Sequence, residues 1–259
     1  MITYEAPYGT TLNYHVRPQS VSLDQAYNTW VGTREPPYFG VAPDARVWAL
    51  ALAVADPSTC PILDLGAGTG RHALPLARRG HPVDAIELSA AFAEQLRRDA
   101  VAEDLPVRVL ERDLFTTSGD LRSDYGLIVL SEVASDFRHV DQLRQFFELA
   151  VTALKPGGCL VFNIFLPVLG YTPAAAARQL GQQLYTTIFT YPELASALDE
   201  LPLVLVSDHS VHDYEQQHLP EGAWPPTSWY AGWVSGLDVF DTSRNLSPIE
   251  MRWLVYRRL

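Results

Sequence analysis

Residues 62–70 read Ile-Leu-Asp-Leu-Gly-Ala-Gly-Thr-Gly, an apolar run that ends in three alternate glycines. The side chains of Pro61 to Leu65 suit a central parallel strand that is buried on both faces. Glycines at positions 66, 68 and 70 permit backbone angles and close approaches that a β-carbon would block, so a ligand can lie directly against main-chain amides. The stretch therefore predicts a buried strand whose carboxyl end forms part of a binding site.

A second predicted strand follows after one helix. Residues 71–79 read as a helix that is closed by Gly80, and residues 81–87 read as the next strand. Pro75 stands inside the helix, so we expect the helix to kink or to begin late. The two strands and the helix form one βαβ unit with Glu87 at the tip of its second strand. An acid there can accept hydrogen bonds from both ribose hydroxyls, which indicates a nucleoside-bearing cofactor.

The glycine spacing distinguishes between cofactors. Nicotinamide dinucleotide sites use G-x-G-x-x-G, whereas this chain has G-x-G-x-G with Asp64 two residues ahead of the first glycine. A short loop with a leading acid suits a ligand without a pyrophosphate, and Asp64 could bind an ammonium group or order the loop. At this point the chain resembles the class I S-adenosylmethionine-dependent methyltransferases, whose first motif is similar to residues 64–70 and whose second-strand acid matches Glu87. A nicotinamide-dependent oxidoreductase is a distant alternative.

The resemblance extends over about residues 60–166. Residues 110–114 look like the third-strand motif, with Asp113 beside the adenine, and residues 125–133 look like the fourth strand and its exit, although Gly126 replaces the usual aspartate. Residues 154–162 match the turn into the fifth strand. The cofactor-binding residues that the resemblance implies are Asp64, Gly66, Ala67, Gly68, Thr69, Gly70, Arg71, Glu87, Leu88, Asp113, Leu114 and Ser131. The run from Gly70 to Gly80 is most similar to small-molecule methyltransferases of the tellurite-resistance type.

The implied fold is an α/β, Rossmann-like, doubly wound sheet of seven strands with an antiparallel last strand. We expect residues 1–259 to form a single methyltransferase domain. Residues 1–43 would be an aromatic N-terminal cap, residues 44–166 the cofactor-binding core, and residues 167–259 a C-terminal half with an aromatic insertion at 219–247.

Four aromatic residues at the two ends of the chain are candidates for the methyl-transfer pocket. They are Tyr38 and Phe39 in the N-terminal segment and Trp229 and Trp233 in the insertion. Aromatic faces favour a sulfonium cation electrostatically and also bury an apolar acceptor. The alternative is that these rings simply pack the cap, because large aromatics chiefly supply buried area.

Polar residues near the starts of predicted helices could act either as a general base or as helix caps. The exit of strand four offers Glu132, Asp136 and His139 as a base for an acceptor that must lose a proton, and Asp136 is the first candidate. Asp136 could equally cap the helix that begins at about His139. Asp44 is expected to cap an earlier helix, which runs to Asp56.

Composition limits the partners. The chain of 259 residues has 30 acidic and 19 basic side chains, a net charge of -11 and no long basic cluster, which argues against DNA or RNA as the methyl acceptor. Cys60 and Cys159 are expected to be buried free thiols, and with no secretory-type segment at the N-terminus we expect a cytoplasmic protein. The longest apolar run, residues 47–55, is too short to cross a bilayer.

Other motifs carry less weight. His209 and His212 would point to opposite faces of a strand, so we predict no metal site there. Neither a G-x-S-x-G elbow nor a phosphate loop occurs in the sequence. Three functions remain open: methylation of a small molecule, methylation of a peptide or protein, and a non-catalytic protein that binds S-adenosylmethionine. The sequence carries no signal for the oligomeric state.

Overall fold

A seven-stranded mixed sheet forms the centre of the protein in a computed structural model that describes residues 2–5, 11–14, 40–117, 119–168 and 170–259. The strands are β1 (Ile2–Glu5), β2 (Thr11–Tyr14), β3 (Ile62–Leu65), β4 (Val83–Glu87), β5 (Val107–Glu111), β6 (Tyr125–Leu130), β7 (Leu154–Pro167), β8 (Leu203–Ser210) and β9 (Ile249–Arg258). The helices are α1 (Ala45–Leu52), α2 (Ala73–Arg78), α3 (Ala90–Ala102), α4 (Val140–Ala153), α5 (Ala175–Gln183), α6 (Tyr191–Leu198), α7 (Val211–His218) and α8 (Tyr230–Val234).

The strand order of the central sheet is β5-β4-β3-β6-β7-β9-β8, while β1 and β2 pair separately as an antiparallel hairpin. Strand β9 runs antiparallel to both of its neighbours, and the pairs from β5 to β7 are parallel. The order reverses direction at β3, the point where ligands bind in open parallel sheets. The predicted doubly wound sheet with an antiparallel last strand is confirmed.

Strand β3 is the predicted central strand, and every one of its residues is buried. Ile62 lies opposite Val83 of β4 on one side and Leu127 of β6 on the other. Successive side chains along a strand point to opposite faces, so β3 contributes to the two hydrophobic layers that cover the sheet. Burial on both faces explains the lack of hydrophobic alternation in its sequence.

Helix α2 begins late, as Pro75 led us to expect. Its first residue is Ala73, which places Pro75 in the first turn, where a missing N–H leaves no intrahelical bond unmade. The Leu74 N–H donates to the carbonyl of Gly70 at 3.0 Å, so the turn connects directly to the glycine loop. The helix stops before Gly80, whose φ of 102° lies in the left-handed region.

Gly126 of β6 has a packing reason. A β-carbon at this position would overlap the Sγ atom of Cys60, which is buried against the strand. Cys60 and Cys159 are both free thiols, the second of them half-buried, and burial raises the pKa of Cys60. Glycine therefore replaces the aspartate of the resembled family at position 126 because the Cys60 side chain occupies the adjoining space.

The C-terminal half adds helices and the last two strands. Helix α6 opens with a capping box, in which the Thr190 hydroxyl accepts the Glu193 N–H and the Glu193 carboxylate accepts the Thr190 N–H. In the insertion, α8 packs its Trp233 ring against Phe165 of β7, with ring centroids 5.6 Å apart. Among the described residues, no helix has the length and apolar content needed to cross a bilayer.

Candidate functional site

A cleft of about 180 Å³ opens at the carboxyl ends of β3, β4, β5 and β6. All but two of the predicted cofactor-binding residues line it: Gly66, Ala67, Gly68, Thr69, Arg71, Glu87, Leu88, Asp113, Leu114 and Ser131. Glu132 and Asp136, two of the three candidate bases, also line the cleft. Residues spread over more than 70 positions of sequence converge here because parallel strands end at the same edge of a sheet.

The glycine loop lies directly against Glu87. The Gly68 N–H donates to Glu87 Oε2 at 2.7 Å, and the Ser89 N–H donates to Glu87 Oε1 at 2.7 Å. The Gly66 and Ala67 N–H groups both donate to the Ile86 carbonyl, which fixes the loop to β4. Burial raises the pKa of Glu87, and the backbone N–H donors partly offset that effect. Each carboxylate oxygen keeps a lone pair for a ligand hydroxyl.

The loop can hold this position only with glycine at its first turn. Gly66 has a φ of 72°, and a β-carbon there would overlap the side chain of Val133, which lines the cleft from the opposite side. Val133 already fills the space that a β-carbon would need, so both the backbone conformation and the packing require glycine at position 66.

Asp64 and Gly70 are the predicted cofactor residues that lie outside the cleft lining. Asp64 is buried under the loop, where its carboxylate accepts a hydrogen bond from the Ala73 N–H at the start of α2, and burial raises its pKa. A β-carbon on Gly70 would overlap the Leu96 side chain. Of the two roles that the sequence left open for Asp64, this placement favours ordering the loop.

A buried ion network closes one end of the cleft. Arg71 pairs with Asp44 (Nη1 to Oδ1, 2.5 Å) and with Glu132 (Nη2 to Oε1, 2.6 Å). His72 Nε2 lies 2.9 Å from Asp44 Oδ2, to which the Ser131 hydroxyl also donates at 2.7 Å. All five side chains are largely shielded from solvent. The network joins the start of α1, the glycine loop and the exit of β6.

The pKa values within this network are strongly perturbed. Burial by itself would raise the pKa of Asp44, but the positive charge of Arg71 and the neighbouring His72 outweigh it and hold that pKa well below its usual range. Burial raises the pKa of Glu132, and Arg71 opposes the rise. Burial alone would lower the pKa of Arg71, yet its two carboxylate partners raise it. Arg71 is therefore the cation on which both buried acids depend.

The prediction that Asp44 caps its own helix is wrong. Asp44 occupies the N-cap position of α1, but its carboxylate points away to Arg71 and His72. The Ala45 and Arg46 N–H groups donate instead to Glu215 of α7, at 2.6 and 3.2 Å. The helix also ends at Leu52, earlier than the predicted Asp56. Glu215 carries no local sequence signal, because its partner lies 170 residues away.

A second residue that the sequence did not reveal is Asn163 of β7. Its Oδ1 accepts a hydrogen bond from the Glu132 N–H at 2.6 Å, and its Nδ2 donates to the Ser131 hydroxyl at 3.3 Å. Glu132 has a φ of 62°, a left-handed conformation that costs a non-glycine residue about 1 kcal/mol or more. Asn163 stabilises this conformation, which turns the Glu132 side chain towards Arg71.

Asp136 and His139 have different surroundings. Asp136 ends a short 3₁₀ turn, Ala134–Asp136, and its buried side chain lines the cleft. It is not the N-cap residue of α4: that position is held by His139, whose N–H donates to the Gln142 side chain at 3.2 Å. His139 is exposed and lies outside the cleft lining, on a separate cavity beside Arg178.

The aromatic candidates lie apart from the cleft where the structure describes them. Trp229 and Trp233 pack against each other with ring centroids 5.5 Å apart, and neither lines the cleft. Tyr38 and Phe39 lie outside the described residues. Tyr230, between the two tryptophans, is the member of this aromatic cluster that approaches the buried ion network, because its buried hydroxyl faces Glu132.

Comparison with known proteins identifies the core. Residues 62–158 match a family model described as a methyltransferase domain. These residues form a class I methyltransferase domain. S-adenosylmethionine is the cofactor of this family, and the glycine loop, the cleft and the Glu87 carboxylate beside the loop fit it. The predicted tellurite-resistance subgroup stays a prediction.

Two curated relatives and one solved structure illustrate the likeness. The ubiquinone biosynthesis O-methyltransferase of Rickettsia typhi is 33% identical over 110 residues, 42% of this chain and 42% of the relative. The demethylmenaquinone methyltransferase of Clavibacter sepedonicus is 27% identical over 191 residues, 73% of this chain and 70% of the relative. The first match thus spans less than half of the relative's length.

The solved structure is the geranyl diphosphate C-methyltransferase of Streptomyces coelicolor A3(2) in complex with Mg²⁺, geranyl diphosphate and S-adenosyl-L-homocysteine. Its TM-score is 0.64 at 16% identity, and the match covers 93% of this chain and all of that one. At such identity the likeness shows the fold alone. The two chains share the seven-stranded arrangement.

Proposed function

We propose that this protein transfers a methyl group from S-adenosylmethionine to a small-molecule acceptor. The observation that carries the proposal is the contact between the Gly68 N–H and Glu87 at the floor of the cleft, which sets a nucleoside-binding acid beside an open glycine loop. The relatives named for ubiquinone and menaquinone chemistry support a small acceptor. The net charge of -11 supports it further, since a nucleic acid would be repelled.

The bound cofactor supplies an electrophilic methyl group with its own leaving group, so the protein chiefly positions the two reactants and excludes water. Glu87 would accept hydrogen bonds from the ribose hydroxyls. Asp113 and Leu114 line the part of the cleft assigned to adenine by the resemblance. Arg71 and Ser131 close the opposite end through the buried ion network.

Asp136 and Glu132 are the acids that could remove a proton from the acceptor. Glu132 is engaged by Arg71, whereas Asp136 lines the cleft from a separate turn. We therefore keep Asp136 as the first candidate for a base. His139 is not carried forward, because its exposed ring faces a different cavity.

Calorimetric titration tests the cofactor assignment. The protein is expected to bind S-adenosylmethionine and its demethylated product and not to bind NAD. A screen of quinol, phenol, amine and peptide acceptors with labelled methyl donor then tests the acceptor class, and label should enter a small molecule. Tight binding of NAD with none of S-adenosylmethionine would overturn the proposal, and label entering only the peptides would overturn its small-molecule part.

Asp136→Asn is expected to lower turnover by about 100-fold while changing cofactor affinity less than threefold, because positioned general bases contribute about 10²–10⁴-fold. The measurement is steady-state kinetics together with calorimetry on the same preparation. Asp141→Asn is the matched control, since Asp141 lies in the first turn of α4 and is exposed. Turnover equal to that of the control would remove Asp136 from the chemistry.

A further inference from the structure

The start of α1 shows an exchange of roles between two acids. A residue at an N-cap position ordinarily turns its side chain back to accept the N–H groups of its own first turn. Asp44 has the backbone of such a residue, and its carbonyl accepts the Trp48 N–H at 2.9 Å. Its carboxylate nevertheless lies on Arg71 and His72, which line the cleft.

This orientation of Asp44 is possible because another side chain satisfies the helix. Glu215 accepts the Ala45 N–H through Oε2 at 2.6 Å and the Arg46 N–H through Oε1 at 3.2 Å. The Trp253 indole N–H donates to Oε1 at 2.9 Å and holds Glu215 in place from β9. Glu215 is fully buried, so these N–H groups are paired with its carboxylate and not with bulk solvent.

We propose that Glu215 is a positioning residue for cofactor binding: by accepting the first N–H groups of α1, it leaves the Asp44 carboxylate to orient Arg71 and His72 at the end of the cleft. Glu215 itself does not line the cleft and does not touch the cofactor site. Its influence passes through Asp44 and the buried ion network. The proposal rests on the proposed function in one respect: S-adenosylmethionine is the ligand whose affinity is measured to detect the effect of Glu215.

The geometry requires acceptor oxygens and does not depend on a full negative charge. Burial and the nearby Asp44 carboxylate raise the pKa of Glu215 to about 8. Three N–H groups point at its two oxygens, and a carboxyl group can accept them in either protonation state, although less well when protonated. Loss of these oxygens would leave the first turn of α1 to compete for the Asp44 carboxylate.

The test is calorimetric titration of S-adenosylmethionine into Glu215→Ala, Asp44→Asn and the double variant, each checked by circular dichroism to be folded. Glu215→Ala is expected to weaken binding about tenfold, the effect of losing one charge-assisted contact. If Glu215 acts through Asp44, the double variant loses no more affinity than Asp44→Asn alone. The matched control is Glu221→Ala, which removes an exposed glutamate just after α7 and should leave binding unchanged.

Unchanged affinity in folded Glu215→Ala would overturn the proposal, and so would additive losses in the double variant. If Glu215→Ala does not fold, Glu215→Gln takes its place. It keeps the volume and one acceptor oxygen but sets an amide donor against at least one of the three N–H groups, so a smaller loss of affinity is expected. Unchanged affinity in this variant would overturn the proposal. Failure of the unmutated protein to bind S-adenosylmethionine is a separate result, which contradicts the proposed function itself.

Discussion

Arg71→Met is expected to lower the free energy of unfolding by about 3–5 kcal/mol, the usual cost of removing one partner from a buried ion pair. Two carboxylates, those of Asp44 and Glu132, would remain buried without their cation. Because one variant leaves two such groups, the upper part of this range is expected. Urea denaturation followed by circular dichroism measures the change, provided that the slope against urea concentration stays constant.

A matched control distinguishes the loss of the buried ion pairs from the general effect of replacing an arginine. Arg78, the last residue of α2, pairs with Glu103, but both side chains are nearly half exposed, at 48% and 42%. Exposed pairs contribute about 1 kcal/mol or less, so Arg78→Met should change stability only slightly. Equal losses in the two variants would show that the network around Asp44 is solvated and that its burial does not matter.

Glu87→Ala is expected to weaken S-adenosylmethionine binding at least about 100-fold. Two ribose hydroxyls would lose a charged acceptor, and hydrogen bonds to charged groups are worth about 1.5–3 kcal/mol each. The variant also frees the Gly68 and Ser89 N–H groups that Glu87 holds, so the loop loses part of its shape. Calorimetry or equilibrium dialysis with labelled cofactor measures the loss.

The neighbouring strand supplies the control for Glu87. Glu111 ends β5 directly opposite Glu87 in the sheet register, but it is exposed and pairs with Arg97. Glu111→Ala removes the same side chain one strand away and should leave cofactor affinity unchanged. If both variants bind the cofactor as tightly as the unmutated protein does, the cleft is not its binding site.

The features that the sequence predicted correctly are local. A run of apolar residues followed by alternate glycines specifies a buried strand and an open loop within nine consecutive positions. The late start of α2 follows from the position of Pro75 alone, since proline is tolerated only in the first turn. Glu87 meets the loop because a right-handed βαβ crossover brings two successive parallel strands side by side.

The misassigned residues are those whose partners come from distant segments. The Asp44 sequence context favours a helix cap, and nothing near it reveals that Glu215 takes over that role. Tyr230 was passed over for the tryptophans on either side, because only the packing of α8 shows which ring faces Glu132.

The sequence by itself determined the parallel core, the glycine loop and the acid that faces it, because hydrophobic periodicity and glycine backbone freedom act over a few residues. Tertiary structure alone decided which carboxylate accepts hydrogen bonds from which partner. An N–H group at a helix start or a buried guanidinium accepts any well-placed oxygen, so the assignment of Asp44, Glu132 and Glu215 depends on the packing that brings α1, α7 and β9 together.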